Sequence, residues 1–501
     1  MDQSTRAGKA MAVRAVLLLL ISVLFLMFFS LTTSPLVPGY YGDDSAFFTM
    51  VGQGITKGMM PYRDFFDMKG PYLFLMEALG QRLHYGPYGA MIVQSLNLFL
   101  CLLFADMSFR LVLPKKKLWL ELLLLLPVLY VLCVTMQHGN MTEELSLAVL
   151  MLCLYCCLRY FKAVEQNGNV QHKWYLGLLY GAAFGFLIFV RITNAAIIGA
   201  IIVTISILLI AKRQYGNLAA NASAFVAGTV LALLPAVAWC AVHGILQDML
   251  YQVFDFGFKY SEEVGLAESF MRVFSKGLWI YLLPACIPFA VLAVYRVKDA
   301  KYWLLSVNAM LFLLAAIVLG LVLQHYFVLA LPNVVLGVWL LLDQSAKQPA
   351  AKAGRIVSAC FAAVLLLSIA VPVLSYVKHS TEMIKWYLIG GTRNEAALEI
   401  AEIIPESERD SVLYYGETSG STWYMTTGIF PCCKYCDWQE HYAQLSPEIE
   451  DELIAALQSG EIKWLVMKKG SQSSFSDIQR TIDAVYQVEF VNDDYVLMHS
   501  V

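Results

Sequence analysis

Long apolar runs dominate this sequence and limit its folds more than any other feature. A chain segment crosses roughly 30 Å of hydrocarbon only if every backbone amide finds a partner inside the spanning structure, which takes a helix of about 20 mostly apolar residues. Such runs lie at approximately 11–33, 87–112, 117–136, 142–161, 174–191, 194–211, 218–242, 277–295, 302–321, 325–343 and 355–377. They predict about eleven transmembrane helices. Composition agrees, with 59% hydrophobic residues, 15% charged and a mean hydropathy of +0.62, against about 45–50% and about 25% for a soluble domain. The first run is too long for a signal-peptide core and no small-x-small cleavage site follows it, so it reads as a span. A formal net charge of −3 leaves no basic face for a nucleic acid, and none is expected as a partner.

Lysines and arginines gather on alternate connections. Arg6, Lys9 and Arg14 precede the first run, and Arg110, Lys115, Lys116 and Lys117 follow the second. The same side receives Arg159, Lys162, Lys173, Lys212, Arg213, Arg296, Lys298, Lys301, Lys347, Lys352 and Arg355, whereas the opposite turns 137–143 and 324–325 carry no such charge. The positive-inside rule then places the amino terminus in the cytoplasm of a multi-pass plasma-membrane protein, and an odd span count places the carboxyl terminus outside. Three outside segments are long, at about 34–86, 243–276 and 378–501. The expected organisation is a helical membrane domain over 1–377, with surface helices in its first outside loop 34–86, followed by an extracytoplasmic soluble α/β domain over 378–501. In that tail Glu395 to Ile404 has helical spacing, and Val412 to Tyr415 and Lys463 to Met467 read as strands. Ser446 and Pro447 open a helix that Gly460 can end, and Asp493 and Asp494 mark a hairpin turn.

The first outside loop holds the most distinctive pattern. It runs Tyr40-Tyr41-Gly42-Asp43-Asp44-Ser45, then Pro61-Tyr62-Arg63-Asp64-Phe65-Phe66-Asp67-Met68-Lys69-Gly70-Pro71-Tyr72. Phe47, Phe48, Val51 and Ile55 recur at helical spacing behind the aspartates, so Asp43 and Asp44 head an amphipathic helix that can lie along the membrane surface. Carboxylates are favoured at that end of a helix, and one of the two could serve simply as the N-cap.

This stretch resembles the first extracytoplasmic loop of the polytopic GT-C glycosyltransferases, in the branch of protein O-mannosyltransferases and aminoarabinose transferases (glycosyltransferase family 39-like). There an acidic pair follows the first span, an amphipathic helix ends near a glycine, and a Lys-Pro-Pro-like turn leads into another helix. The resemblance implies a GT-C fold, places Asp43 at the catalytic acid position with Asp44 in place of the usual Glu, and sets Lys69-Gly70-Pro71 at the lysine turn with its middle proline missing. It also implies that Glu143 and Glu144, with His138 in the same turn Gln137-His138-Gly139-Asn140-Met141-Thr142, face substrate or metal. From the residues alone these glutamates are equally well first-turn carboxylates with Thr142 as cap. Arg191 is a single cation on the side poor in cations, suited to a phosphate or to snorkelling at the interface. His325 and Tyr326 stand where the family has basic or aromatic residues, and an interfacial anchor is their plainer use. Asp106 and Arg110, one turn apart, read as a structural pair.

Eight of the eleven cysteines lie in apolar runs. Cys432, Cys433 and Cys436, with His441 beyond, lack a second pair for zinc, and a local disulfide is the expectation on the oxidising side. No metal is assigned; a divalent metal is neither required nor excluded, so the cofactor stays unknown. Together these residues suit transfer of a sugar from a polyprenyl-phosphate donor to an extracytoplasmic glycan, lipid or protein acceptor, by an inverting displacement. Asp43 would be the base, with Lys69, Arg191, His325 and Tyr326 toward the donor phosphate. The alternative is a transporter or flippase of a lipid-linked saccharide, which would place charges near the midplane rather than at span ends; a non-catalytic role in an envelope-assembly complex is a third.

Overall fold

The computed structural model describes residues 3–113, 118–262, 265–348, 356, 359, 363, 366–391, 394–416 and 420–501. Lys115, Lys116, Lys117, Lys352, Arg355 and Cys360 lie outside the described residues, as does part of the first half of the expected span 355–377. The chain forms two compact units, one of Met1–Ser30, Gln94–Ala238 and Val264–Thr381, the other of Leu31–Val93, Trp239–Glu263 and Glu382–Val501.

The described residues contain eight helices long and apolar enough to cross a membrane, or nine if one bent pair is a single span. They begin with α1 (Gln3–Phe29). Helix Trp174–Arg191 runs through a 3-10 turn, Ile192–Ala195, into helix Ala196–Ala211, so two of the expected runs form one interrupted helical stretch of 38 residues. At 1.5 Å per residue an unbroken helix of that length would exceed the hydrocarbon thickness nearly twofold. The run expected at 277–295 corresponds to Leu278–Val294, and the helix before it, Leu266–Ser275, meets it at 93°. Gly277, at φ +69°, supplies the left-handed corner.

Charge burial orders the helical unit. Arg14 of α1 bonds both Asp106 and Glu121, all three buried, so the expected pairing of Asp106 with Arg110 is replaced by a partner 92 residues away. At a second cluster the Lys162 ammonium lies 2.9 Å from both Glu165 and Asp343, and Lys347 2.9 Å from Glu165.

Helices Trp174–Arg191 and Tyr215–Val242 pack backbone to backbone through Gly177, Gly181 and Gly185, a small-residue spacing that lets membrane helices approach closely. A Cβ on Gly181 would stand 1.9 Å from the Phe225 carbonyl oxygen, while the Thr229 hydroxyl donates to the Gly181 carbonyl at 3.1 Å.

In the second unit, α2 (Asp43–Thr56) and α3 (Pro71–Leu83) come from the first loop. Every residue from Ser45 to Gly54 is buried, so α2 is enclosed within the unit and not laid along a membrane surface with one face free. The tail builds a mixed sheet in the order β1 (Val412–Tyr415), β2 (Trp464–Lys468), β4 (Tyr495–Ser500), β3 (Tyr486–Val491). β1 and β2 are parallel, and the other two pairs antiparallel. Helices Glu395–Ile403, Pro447–Gln458 and Ser476–Val485 accompany it, matching the α/β expectation. The first loop is joined to this domain. Phe66 donates its backbone N–H to the Lys434 carbonyl at 2.9 Å and packs on Phe256, Tyr435 and Tyr442.

Because the obstruction at Gly181 is backbone, Gly181→Ala should destabilise the protein by about 1–3 kcal/mol, as overpacking does. Gly216→Ala, with open space around the new methyl, is the control. Thermal unfolding in detergent checks this: the Gly181 variant should melt earlier and the Gly216 variant close to the parent.

Candidate functional site

α2 starts at Asp43 with Gly42 in the N-cap position, so neither aspartate caps the helix. Both carboxylates instead stand in its first turn, where the helix dipole favours negative charge. Asp43 is accessible to solvent along one side, yet protein surrounds it closely enough that burial, and then the charge of Asp44, raise its pKa above the usual 3.8.

Two residues before Lys69 stands a carboxylate to which the sequence reading gave no role. Asp67 is 3% exposed, accepts the Lys69 backbone N–H at 2.7 Å, and lies 3.5 Å from the Lys69 ammonium. Burial raises its pKa, Lys69 opposes that, and Asp44 is near enough to add to the rise. Gln252 fixes the turn by accepting the Asp67 N–H at 3.0 Å and donating to the Tyr62 carbonyl at 2.7 Å. The Tyr62 hydroxyl donates to the Lys69 carbonyl at 2.8 Å, and the Lys69 ammonium lies 5.6 Å from the Phe48 ring centre. Gly70 and Pro71 then start α3. Asp43, Asp44, Asp67 and Lys69 thus belong to one acidic, cation-bearing arrangement. The Asp-x-Lys spacing signalled it, since an aspartate readily bonds the backbone two residues on.

The other predicted residues fall in the first unit. Helix Thr142–Asn167 has Met141, not Thr142, as its N-cap, and Glu144 closes back on the Met141 N–H at 3.4 Å while accepting from Gln94 at 3.1 Å. Glu143 is 1% exposed and bonded by Arg191, with the Thr142 hydroxyl donating to its other oxygen at 2.9 Å. Arg191 takes an extended backbone at the break after its helix, with φ −162°. Its guanidinium lies 4.0 Å from the Tyr326 ring centre, a cation–π contact. His325 meets Gln137 at 2.9 Å, and its ring sits edge-on to Tyr326. His138 stacks on Tyr376 and tilts against His379; burial and then His379 lower its pKa to about 4. Asn194, also without a role in the sequence reading, donates to the Thr142 carbonyl at 3.0 Å and the Ser146 hydroxyl at 2.8 Å.

Two expectations change. Arg191 is not a lone charge awaiting a phosphate, because Glu143 already neutralises it. Cys432, Cys433 and Cys436 are free thiols rather than a disulfide, with burial pushing Cys432 up to about 12. Among the described residues no group of three or more His, Cys, Asp or Glu side chains could hold a metal ion.

No family model matches the chain, and no curated protein does. Among solved structures, ArnT from Cupriavidus metallidurans bound to undecaprenyl phosphate aligns over 97% of this chain and 98% of its own, with 14% identity and a TM-score of 0.59. The chain has the ArnT fold. The same ArnT in its apo state aligns over the same shares at 15% identity and the same TM-score. The alignment spans both the membrane helices and the tail.

The Glu143 and Arg191 pairing makes a prediction of its own. Removing one member of a buried pair leaves the other uncompensated, at a cost of about 3–5 kcal/mol, whereas removing both costs far less. Glu143→Gln and Arg191→Met should each lower the unfolding temperature, and the double variant should recover most of the loss. Additive losses in this cycle would show that the two side chains do not interact.

Proposed function

We propose that this protein is a membrane glycosyltransferase that moves a sugar from a polyprenyl-phosphate donor to a hydroxyl of an extracytoplasmic glycan, lipid or protein acceptor, with Asp43 as the base. The observation that carries the reading is Asp43 itself, an accessible carboxylate with a raised pKa in the first turn of a buried helix. In the same unit Asp67 holds Lys69, and Asp44 acts on Asp67 electrostatically. The ArnT fold and the undecaprenyl phosphate bound to ArnT support the donor class.

In the reaction Asp43 takes the proton of the acceptor hydroxyl, whose oxygen attacks the anomeric carbon. The bond from that carbon to the phosphate oxygen breaks, and polyprenyl phosphate leaves with the electron pair. One displacement inverts the anomeric centre. A phosphate departs without protonation, so no general acid is needed, and the Lys69 ammonium stabilises the charge that develops on it. Asp67 is a positioning residue, fixing the Lys69 backbone. Arg191, read from its position as a cation on the side poor in cations, and His325 and Tyr326, which stand where the family has basic or aromatic residues, are the donor-facing candidates of the first unit. The amino terminus is cytoplasmic and the tail extracytoplasmic in this reading, so Asp43 acts outside the cell, where no pool of nucleotide sugars exists.

Asp43→Asn should lower transfer by about 10²–10⁴, the usual contribution of a general base, as read by release of free polyprenyl phosphate from purified protein. The parent rate should rise with pH through the raised pKa of Asp43 and then level off. Stability has the opposite sign: a raised carboxylate pKa favours the protonated form in the folded state, so the ionised group weakens folding above its unfolded value. Asp43→Asn should therefore unfold no earlier than the parent at neutral pH. Full activity in both Asp43→Asn and Asp44→Asn would refute the assignment.

A further inference from the structure

Helix Leu266–Ser275, in the first unit, has two unlike sides. At about 100° per residue, Leu266, Phe270, Met271 and Phe274 fall within an arc of about 140°. Each of the four is half exposed or more. Glu268, Arg272 and Ser275, with Lys276 directly after the helix, occupy the opposite side, where Arg272 meets Glu268 at 2.8 Å. Only a narrow strip between the two sides faces protein. It consists of Ser269 and Val273, both buried.

That strip fixes the level at which the helix sits. The Ser269 hydroxyl donates to the Gly320 carbonyl at 3.1 Å. Gly320 lies in the turn between Ala300–Val318 and Gln324–Lys347, both long and apolar enough to cross a membrane. Irregular backbone of that kind does not stand exposed to hydrocarbon, so the turn marks the bilayer surface. Val307, Leu311, Ala315 and Leu319 are exposed at every fourth residue along the first of these spans and its end, a stripe facing lipid that stops beside Gly320.

The other end of the helix is fixed by a corner. Through Gly277 the chain turns by 93° into Leu278–Val294. That stretch packs closely on the span Gln324–Lys347, where a Cβ on Gly337 would stand 2.6 Å from the Ile287 side chain. Its 3-10 turns, Leu278–Leu282 and Pro284–Cys286, rise about 2 Å per residue, so it reaches across most of roughly 30 Å of hydrocarbon unaided. A helix at right angles to a span lies in the plane of the membrane.

The size of the apolar face decides what covers it. About 15 Å of helix offers a small fraction of the roughly 800 Å² that each protein contributes to a stable interface. Acyl chains need no such area, because the face adjoins a stripe they already cover. Arg272 and Lys276 on the other side suit the level of the headgroup phosphates, and exposed Trp279 at the start of the next span is the residue type favoured there. We infer that helix Leu266–Ser275 is a phospholipid-binding surface: it lies in the interfacial layer, with Leu266, Phe270, Met271 and Phe274 among the upper acyl chains and Arg272 and Lys276 toward the phosphates. The inference rests on the membrane location of the chain and not on the glycosyltransferase reading.

The test uses the full chain in phosphatidylcholine vesicles containing one of two photoreactive phosphatidylcholines, with the diazirine either near the glycerol or at the end of the acyl chain. The shallow probe should label Phe270, Met271 and Phe274 severalfold more than the deep one, and the ratio should reverse at Leu311, midway along its span. Replacing two exposed side chains together, Phe270→Ser with Phe274→Ser, should lower labelling of Met271 severalfold while labelling of Leu311 stays at the parent level, which separates release of the helix from unfolding. Labelling of Leu311 without any of Met271 would place the face in water or against protein. Equal or stronger labelling of Met271 from the chain end would make the helix half of a broken span, and unchanged labelling of Met271 in the double variant would show that protein contacts alone hold it. Each of these three results would overturn the inference.

Discussion

The cost of an unpaired charge in hydrocarbon governs the helical unit. Even on the mildest scales a lone ionised side chain at the centre of a span costs about 2.5–3.5 kcal/mol. The described residues meet that constraint by pairing distant segments: Arg14 with Asp106 and Glu121, Lys162 with Asp343, and Arg191 with Glu143. Each pair is also a restraint on the fold, because it defines which helix faces which. The break between helices Trp174–Arg191 and Ala196–Ala211 belongs to the same pattern. It turns the Arg191 backbone out of the helix where Glu143 and the Tyr326 ring receive the guanidinium.

In the other unit the same constraint shapes the surroundings of the proposed base. Burying α2 from Ser45 to Gly54 fixes the direction of its first turn, so two adjacent carboxylates are held together against their mutual repulsion. The raised pKa of Asp43 is the electrostatic cost of that placement, and it is the property a base requires. Asp67 performs the complementary task for a cation, bonding the Lys69 backbone and approaching its ammonium. Neither arrangement needs a loop held by strain; Gln252 and the Tyr62 hydroxyl tie the turn with ordinary hydrogen bonds.

What was legible in the sequence was local. Run length announced the spans, Ser446 with Pro447 marked the start of helix Pro447–Gln458, and Asp493 with Asp494 marked the turn of the β3–β4 hairpin. Partners distant in sequence were not legible. Asp106 was matched to Arg110 because helical spacing offers only neighbours three or four residues away, while its partner lies 92 positions back. The enclosure of α2 was hidden by Ser45, Thr49 and Gln53, polar residues that look like a solvent face and are buried here. Asp67 and Asn194 stood in plain view, but each bonds a backbone atom as well as a side chain, and composition does not register such bonds.

The donor is where the account is most exposed to test. Purified wild-type protein in proteoliposomes should convert a polyprenyl-phosphate sugar, releasing free polyprenyl phosphate and forming a glycoside inverted at the anomeric centre. It should not use the corresponding nucleotide sugar when no lipid-linked sugar is present. Efficient transfer from the nucleotide sugar alone, or retention of anomeric configuration, would contradict it.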